Sequence, residues 1–147
     1  MKIFTNDNSQ QMCDMQEKIF GINFISIESN LFTIAGKTSA DYDHGSWALV
    51  TDDEETVGFM YPTGRETYNV SVASNGFTDP AMPAVAFGAA LTIMMTNHMG
   101  WAYHERGQAN AAQAMMDIYE KVRGFTFDLS DADPDFMAGS AVAGFID

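Results

Sequence analysis

Cysteine and basic residues are scarce in this chain of 147 residues. Cys13 is the single cysteine, so no internal disulfide can form, and such a sequence is typical of a reducing compartment. Lysine and arginine together number 7 against 20 aspartate and glutamate residues, which gives a net charge of −13. Because proteins bind nucleic-acid phosphates with clustered Lys and Arg, we do not expect direct nucleic-acid binding.

Long apolar segments of the kinds used for export and membrane insertion are also missing. The start, MKIFTNDNSQ, turns polar within a few residues and lacks the apolar stretch of a secretory signal. The longest uncharged run, residues 84–101, is interrupted by Asn97, His98 and Gly100 before it reaches membrane-spanning length. We therefore expect a cytoplasmic protein that does not engage a membrane.

The composition favours one folded domain over residues 1–147. Hydrophobic residues make up 46% of the chain, which is too many for a disordered segment despite the high charge. A chain of this length can bury one substantial core, and no repeat or linker divides it. Only the polar residues 1–20 could be mobile.

Three helices are expected from the apolar spacing. The uncharged run predicts a buried central helix over residues 84–99, with Gly100 as its end. A short helix is expected to begin near residues 29–30 and to run to about residue 38. A third should run from about residue 110 and stop at Gly124.

Three segments of strand length lie between the first two helices. Residues 46–50, 56–62 and 67–73 are rich in β-branched and aromatic side chains, and short polar links separate them. Consecutive strands with short links predict an antiparallel meander. The expected fold class is therefore α+β, with several helices packed on one small antiparallel sheet of about three strands and one apolar helix at the centre.

No motif for catalysis, a cofactor or a metal is assembled. The segment AGKT ends like a phosphate-binding loop, but Leu31 stands where that motif requires a glycine. His98 and His104 are six residues apart and do not share a helix face, so His98 is expected in the core and His104 at the surface. No serine lies in a GxSxG motif. We therefore expect no catalytic residues, no cofactor, no metal ion and no enzymatic activity.

The stretch DYDHGSWALV, residues 41–50, could be either a ligand cluster or a turn. Asp41, Asp43 and His44 could bind a divalent cation, but they fall short of the dense ligand spacing of an EF-hand loop. Aspartate and glycine are also typical turn residues, and Trp47 would begin the buried face of a strand. We predict a turn that leads into a strand, with exposed aspartates.

Several motifs together resemble the ArdB/KlcA antirestriction family over residues 28–147. They are DYDHGSWALV, GFMYP, VSVASNGF, the alanine-rich apolar helix and the terminal GFID. His44 is a departure, because the family usually has a glycine at that position. The resemblance implies a small α+β protein, encoded by a phage or plasmid, that protects incoming DNA from host type I restriction without enzymatic activity. The residues that fall on the family's motif positions are Tyr42, Gly45, Trp47, Met60, Pro62, Asn75 and Gly76.

Three functions are compatible with these observations. The first is an antirestriction protein that counteracts type I restriction-modification by contact with a host defence protein, such as a type I restriction enzyme. The second is an acidic DNA mimic that occupies a nuclease's DNA-binding channel, and the third is an uncharacterised small enzyme. The carboxylates concentrate in residues 51–55 and 128–135 rather than along an extended surface, which favours contact over mimicry. The oligomeric state stays open.

A partner-binding surface is predicted at ten residues. Because the chain ends in the apolar Phe145 and Ile146, we expect a docked terminus that holds Asp147 in place, with Glu28 and Trp47 nearby. The aspartate-rich turn and the acidic loop after it supply the remaining candidates. The predicted surface comprises Glu28, Asp41, Asp43, His44, Trp47, Asp52, Asp53, Glu54, Glu55 and Asp147.

Overall fold

Five α-helices pack around two small antiparallel sheets, which confirms the predicted α+β class. The computed structural model describes residues 1–147. A short 3₁₀ turn, Asn6–Asn8, precedes the first α-helix. In chain order the elements are β1 (Lys2–Phe4), α1 (Ser9–Phe20), α2 (Phe24–Thr38), β2 (Trp47–Thr51), β3 (Gly58–Pro62), β4 (Thr67–Val72), β5 (Phe77–Pro83), α3 (Ala84–Glu105), α4 (Ala109–Ala132) and α5 (Gly139–Ile146).

The apolar run forms the central helix of the core, as predicted. Thirteen of the 22 residues of α3 are buried, and α3 packs against both sheets and against α2, α4 and α5. Gly88 lies directly on β3, where a Cβ atom would overlap the carbonyl oxygen of Met60 and the Cα of Tyr61. The absence of a side chain at this position therefore lets the helix backbone touch the strand backbone.

The predicted helix ends at two glycines are wrong. Helix α3 continues through Gly100 to Glu105, and α4 continues through Gly124 to Ala132. Gly100 faces Met116 of α4, so the missing side chain serves the packing of two helices rather than a helix stop. Glycine in a helix interior costs only about 1 kcal/mol relative to alanine, and tertiary packing offsets that cost.

The strand pairing also differs from the predicted meander. Strands β2 and β3 pair as expected, with Leu49 opposite Met60, but β1 joins them at the free edge of β2, where Ile3 lies opposite Val50. Strand β4 instead pairs with β5 in a separate two-stranded sheet. The hairpin between β4 and β5 turns at Gly76, whose φ of 74° is readily adopted only by glycine.

Both ends of the chain are folded into the core. The first 20 residues, considered as a potentially mobile start, form β1 and α1, and α1 buries Met12, Ile19 and Phe20. Helix α2 begins at Phe24, earlier than expected. At the other end α5 buries Phe145 completely, which confirms the expected docking of the C-terminus.

No single helix has both the length and the apolar character needed to cross a membrane. Residues 6–20 and 24–38 meet that test only when taken together, as a pair bent by 97°.

We predict that Gly88→Ala destabilises the protein by about 1–3 kcal/mol, because the new methyl group must displace the β3 backbone. The matched control is Gly124→Ala in α4, where an added Cβ meets nothing within 4 Å. That substitution should stabilise the fold by about 0.5–1 kcal/mol through helix propensity. Urea unfolding of both variants measures the difference, and equal stability of the two would contradict the described contact between α3 and β3.

Candidate functional site

The acidic loop between β2 and β3 is organised by Asp52. One oxygen of its carboxylate accepts hydrogen bonds from the backbone N–H of Thr56 at 2.7 Å and of Val57 at 3.2 Å, and the other accepts from the Thr56 hydroxyl at 2.6 Å. Partial desolvation raises the pKa of Asp52, but the hydrogen bonds together outweigh it and lower the pKa below its ordinary value. This predicted site residue therefore shapes its own loop.

Two further carboxylates of the acidic loop form ion pairs with the N-terminal part of the chain. Asp53 accepts from the terminal amine at 2.6 Å. Glu55 lies 3.2 Å from the ammonium of Lys18 and 3.8 Å from that of Lys2. Only Glu54 is exposed with no partner in the structure. The loop thus joins the N-terminal strand and α1 to the sheet, and most of its charge is already engaged.

The stretch DYDHGSWALV folds as a turn into a strand, as predicted, but only Asp43 of its two aspartates is exposed, because Asp41 is half-buried against β4. The carboxylate of Asp41 accepts from the backbone N–H of Asn69 at 2.8 Å and lies 4.0 Å from the guanidinium of Arg65. Asp43 accepts from the N–H of Gly45 at 3.2 Å, which closes the turn. His44 has a φ of 65°, and its ring meets that of Tyr42 edge to face, with 4.9 Å between the ring centroids. Within the whole chain, no group of three or more His, Cys, Asp or Glu residues is placed to hold a metal ion.

Trp47 was predicted both to begin the buried face of a strand and to bind a partner, and only the first role agrees with the structure. The indole is 3% exposed and donates a hydrogen bond to the hydroxyl of Tyr42 at 3.0 Å. Burial raises the pKa of Tyr42, an effect that the hydrogen bond from Trp47 partly offsets and the nearby Asp43 and Glu28 reinforce. A partner cannot reach Trp47 without opening the core.

Glu28 is half-buried between the first two helices rather than displayed to solvent. Its carboxylate accepts a hydrogen bond from the side-chain amide of Gln16 at 2.6 Å, and the same amide also contacts the sulfur of Met60. Glu28 therefore links α2 to α1. It does not share a cavity with Asp147, so the expected grouping of Glu28, Trp47 and Asp147 is not found.

Asp147 lies instead in a polar cleft formed by parts of the chain that are distant in sequence. We call this the C-terminal cleft and define it by Asn75, Asn97, His98, Tyr119, Arg123 and Asp147. Its volume is about 330 Å³, and the turn between β4 and β5, α3, α4 and the end of α5 all contribute to it. Phe145 and Ile146 supply apolar parts of the wall.

The position of the terminus is set by the Asn75–Gly76 turn. The side-chain amide of Asn75 donates to the carbonyl oxygens of Gly144 at 3.2 Å and Phe145 at 3.1 Å. The same side chain accepts from the N–H of Phe77, whose ring packs on that of Phe145. A side chain at Gly144 would collide with the Phe77 ring. These contacts hold Asp147 and its α-carboxylate at a defined edge of the cleft.

Three ionisable side chains of the C-terminal cleft form no ion pair within the chain. His98, Arg123 and Asp147 are exposed, and none of their side chains takes part in an ion pair or hydrogen bond. The guanidinium of Arg123 lies over the ring of Phe127 at 5.9 Å, which limits its freedom. The Arg123 guanidinium, the His98 imidazole, the Asp147 side-chain carboxylate and the Asn97 amide are thus available to bind a surface that carries charges of both signs.

Arg123 and His98 were not identified from the sequence as site residues, and His98 was wrongly expected in the core. Arg123 lies on an ordinary amphipathic helix, so no local pattern distinguishes it. His98 interrupts the apolar run of α3 at a position that the structure leaves exposed. Asp147 is the only predicted site residue that the structure places in this cleft.

The fold and the cavity define an α+β protein with a polar cleft at its C-terminus, and comparison with known proteins supplies the family. Residues 40–138 match the model of the family described as "Antirestriction protein". The chain therefore belongs to the antirestriction protein family, which confirms the resemblance inferred from the motifs.

One curated relative is YubI of Escherichia coli (strain K12), a candidate antirestriction protein. It is 30% identical over 95 residues, or 65% of this chain and 65% of its own, so the match spans a little less than two thirds of the relative's length.

A solved structure of the KlcA and ArdB proteins shares the fold. The TM-score is 0.75 at 20% sequence identity, and the match covers 99% of this chain and 94% of that one. KlcA and ArdB are described as having a novel fold and antirestriction activity against type I DNA restriction systems in vivo but not in vitro. The near-complete coverage shows that α1 and α5, outside the region matched by the family model, belong to the same fold.

We predict that Asp52→Ala destabilises the protein at pH 7 by about 1–2 kcal/mol, because the loop loses its three hydrogen bonds. Since the folded-state pKa of Asp52 is lowered, its stabilising effect is present above the unfolded-state pKa of about 4 and is lost as the pH falls through the folded-state value. Urea unfolding at pH 7 and in acid should therefore show the difference from wild type shrinking in acid.

The control for this measurement is Glu54→Ala, two residues further along the same loop. Its side chain has no partner, so its effect on stability should stay within about 0.5 kcal/mol at both pH values. A difference between Asp52→Ala and wild type that does not depend on pH would contradict the role assigned to the ionised carboxylate.

Proposed function

We propose that this chain is an antirestriction protein that counteracts host type I restriction-modification by binding a host defence protein through the C-terminal cleft. Membership of the antirestriction family and the shared fold with KlcA and ArdB support the activity. We further propose that it acts in the bacterial cytoplasm, is encoded by a phage or plasmid, and works by binding rather than by catalysis.

The observation that carries the proposed site is a pair of charged side chains without ion-pair partners, Arg123 of α4 and Asp147 on the anchored terminus. Elsewhere, predicted site residues such as Asp41, Asp53 and Glu55 are engaged in internal pairs that hold loops and strands together. In the C-terminal cleft, the side chains of Arg123 and Asp147 form no ion pair or hydrogen bond, although neighbouring elements fix the surrounding backbone. Pre-organised polar groups at a concave surface are what a specific protein contact requires.

A DNA mimic is the second candidate, and the distribution of charge favours it less. Such a mimic needs free carboxylates over an extended surface, whereas three of the four carboxylates at residues 52–55 hold their own loop or the N-terminal elements. The proposed cleft also contains Arg123, whose positive charge a mimic does not need. Direct binding of DNA is disfavoured by the net charge of −13.

Two cleft variants of opposite charge, Asp147→Asn and Arg123→Gln, test the proposal. Each should reduce the protection of unmodified phage DNA in a type I restricting host by about tenfold or more, because each removes a charged contact at the centre of an interface. Phage plating efficiency measures protection, and thermal melting should show both variants folded with stability within about 1 kcal/mol of wild type.

The controls carry the same charge changes outside the cleft. Asp131→Asn neutralises an exposed carboxylate near the end of α4, and Lys121→Gln removes a cation two residues before Arg123. Both should protect as well as wild type. Undiminished protection by both cleft variants would overturn the site. Equal losses from Asp147→Asn and Asp131→Asn, with none from Arg123→Gln, would favour the mimic.

A further inference from the structure

A second cavity, between α2 and α3, is lined by cations although the chain as a whole is strongly acidic. We call it the α2–α3 groove and define it by Lys37 of α2 and by Met95, His98, Met99, Tyr103 and Arg106 of α3 and its C-cap. Its volume is about 450 Å³. Its lining residues span positions 26–37 on one helix and 95–106 on the other, which corresponds to about 16 Å along each helix.

No carboxylate lines this groove, although acidic residues outnumber basic ones by 20 to 7 in the chain. The exposed Lys37 and Arg106 form no ion pair, in contrast to Lys2, Lys18 and Arg65, which lie beside Glu55 or Asp41. Two free cations and an imidazole therefore line one concave surface of a strongly acidic protein.

Helix-end electrostatics alone does not account for this arrangement. Lys37 lies in the last turn of α2 and Arg106 caps α3, and cations at such positions interact favourably with helix dipoles. His98, however, lies within α3, well before its end. The dipole effect also explains neither the absence of carboxylates nor the presence of a concave apolar floor.

The floor of the groove is formed by two buried methionines. Met95 and Met99 are 5% and 8% exposed, and the side-chain amide of Asn30 donates to the sulfur of Met99 at 3.6 Å. Thioether side chains are flexible and polarisable, and methionine-rich surfaces bind apolar side chains of varied shape. The groove thus combines a soft apolar floor with cations and hydrogen-bonding groups around it.

We propose that the α2–α3 groove binds a short extended peptide segment of a protein partner, in which acidic side chains alternate with apolar ones. Alternation sends successive side chains to opposite sides of an extended chain, so apolar groups could reach the methionines while carboxylates meet Lys37 and Arg106. A length of about 16 Å accommodates about five extended residues. The site is independent of the proposed function and of the C-terminal cleft, with which it shares only His98.

A nucleic acid fits the groove less well than such a peptide. Duplex DNA carries one negative charge per about 1.7 Å, and a long polyanion would be repelled by the net charge of −13 along its whole length. A short peptide with a few carboxylates experiences that repulsion over a small area. Its apolar side chains also contact the methionines at the floor of the groove. Charge complementarity confined to one groove therefore favours a peptide.

The test uses the full chain and the peptide fluorescein-Glu-Leu-Glu-Leu-Glu-amide, labelled on its N-terminal amine, with binding measured by fluorescence anisotropy at low salt. Binding should saturate below about 1 mM peptide. Lys37→Gln and Arg106→Gln should each weaken it by about tenfold, whereas Lys121→Gln, with the same charge change on α4, should stay within about twofold. In methionine-methyl NMR spectra the peptide should shift Met95 and Met99 and leave Met1 unchanged.

The other outcomes overturn the proposal. The groove is not a peptide site if no saturable binding occurs, if Lys121→Gln weakens binding as much as Arg106→Gln, or if Met95 and Met99 do not shift. Equal binding of the lysine counterpart with the same N-terminal label, fluorescein-Lys-Leu-Lys-Leu-Lys-amide, would show that the cations do not select the ligand. Tighter binding of a single-stranded DNA oligonucleotide would assign the groove to nucleic acid instead.

Discussion

The contact between the backbones of α3 and β3 at Gly88 is the constraint on which the structure depends. Because a helix can approach a strand this closely only where it lacks a Cβ, Gly88 fixes the height of α3 above the sheet. Every other helix except α1 then packs on α3 directly, and both sheets contact it. The C-terminal cleft and the α2–α3 groove both lie along parts of α3 that its neighbours leave uncovered, and His98 lines both.

The motifs that indicated the family have structural roles in this chain. Tyr42 and Trp47 hydrogen-bond to each other beneath the turn that leads into β2. Asn75 binds the carbonyls at the end of α5, and Gly76 provides the positive φ that the hairpin needs. The Asn-Gly turn therefore positions the terminus that completes the cleft, so a motif that reads as a simple hairpin also supports the proposed binding site.

Elements with a strong local sequence signal could be predicted. Features that depend on tertiary packing, such as the partner of a strand, could not. The α3 segment is long and free of charge, and β2 and β3 are compact runs of strand-forming residues, so their positions were foreseeable. Strand β5 contains Pro80 and Pro83 and no clear alternation, and prolines are accepted here because a two-stranded sheet consists only of edges. Helix α1 did carry a visible signal, since Met12, Ile19 and Phe20 recur at helical spacing.

Only one residue of the candidate site could be predicted, because only its signal is local in the sequence. An apolar C-terminus indicated docking, which placed Asp147 on an ordered anchor, whereas Arg123 and His98 join it only through the tertiary fold. A cluster of acidic residues in a sequence suggests a binding site, yet Asp52, Asp53 and Glu55 form internal hydrogen bonds and ion pairs in this protein. Trp47 shows the same limit, because an aromatic residue at the start of a strand serves a core or an interface equally well until its burial is known.

Site-specific photocrosslinking in a type I restricting host tests the central claim most directly, because it reports contacts in the cell where protection occurs. A benzophenone side chain would replace Tyr119 in the C-terminal cleft or, in a separate variant, Glu54 at the exposed tip of the acidic loop. We predict that the Tyr119 variant crosslinks to a subunit of the restriction enzyme and that the Glu54 variant does not. Crosslinking from Glu54 but not from Tyr119, in variants that both still protect phage, would contradict binding through the cleft.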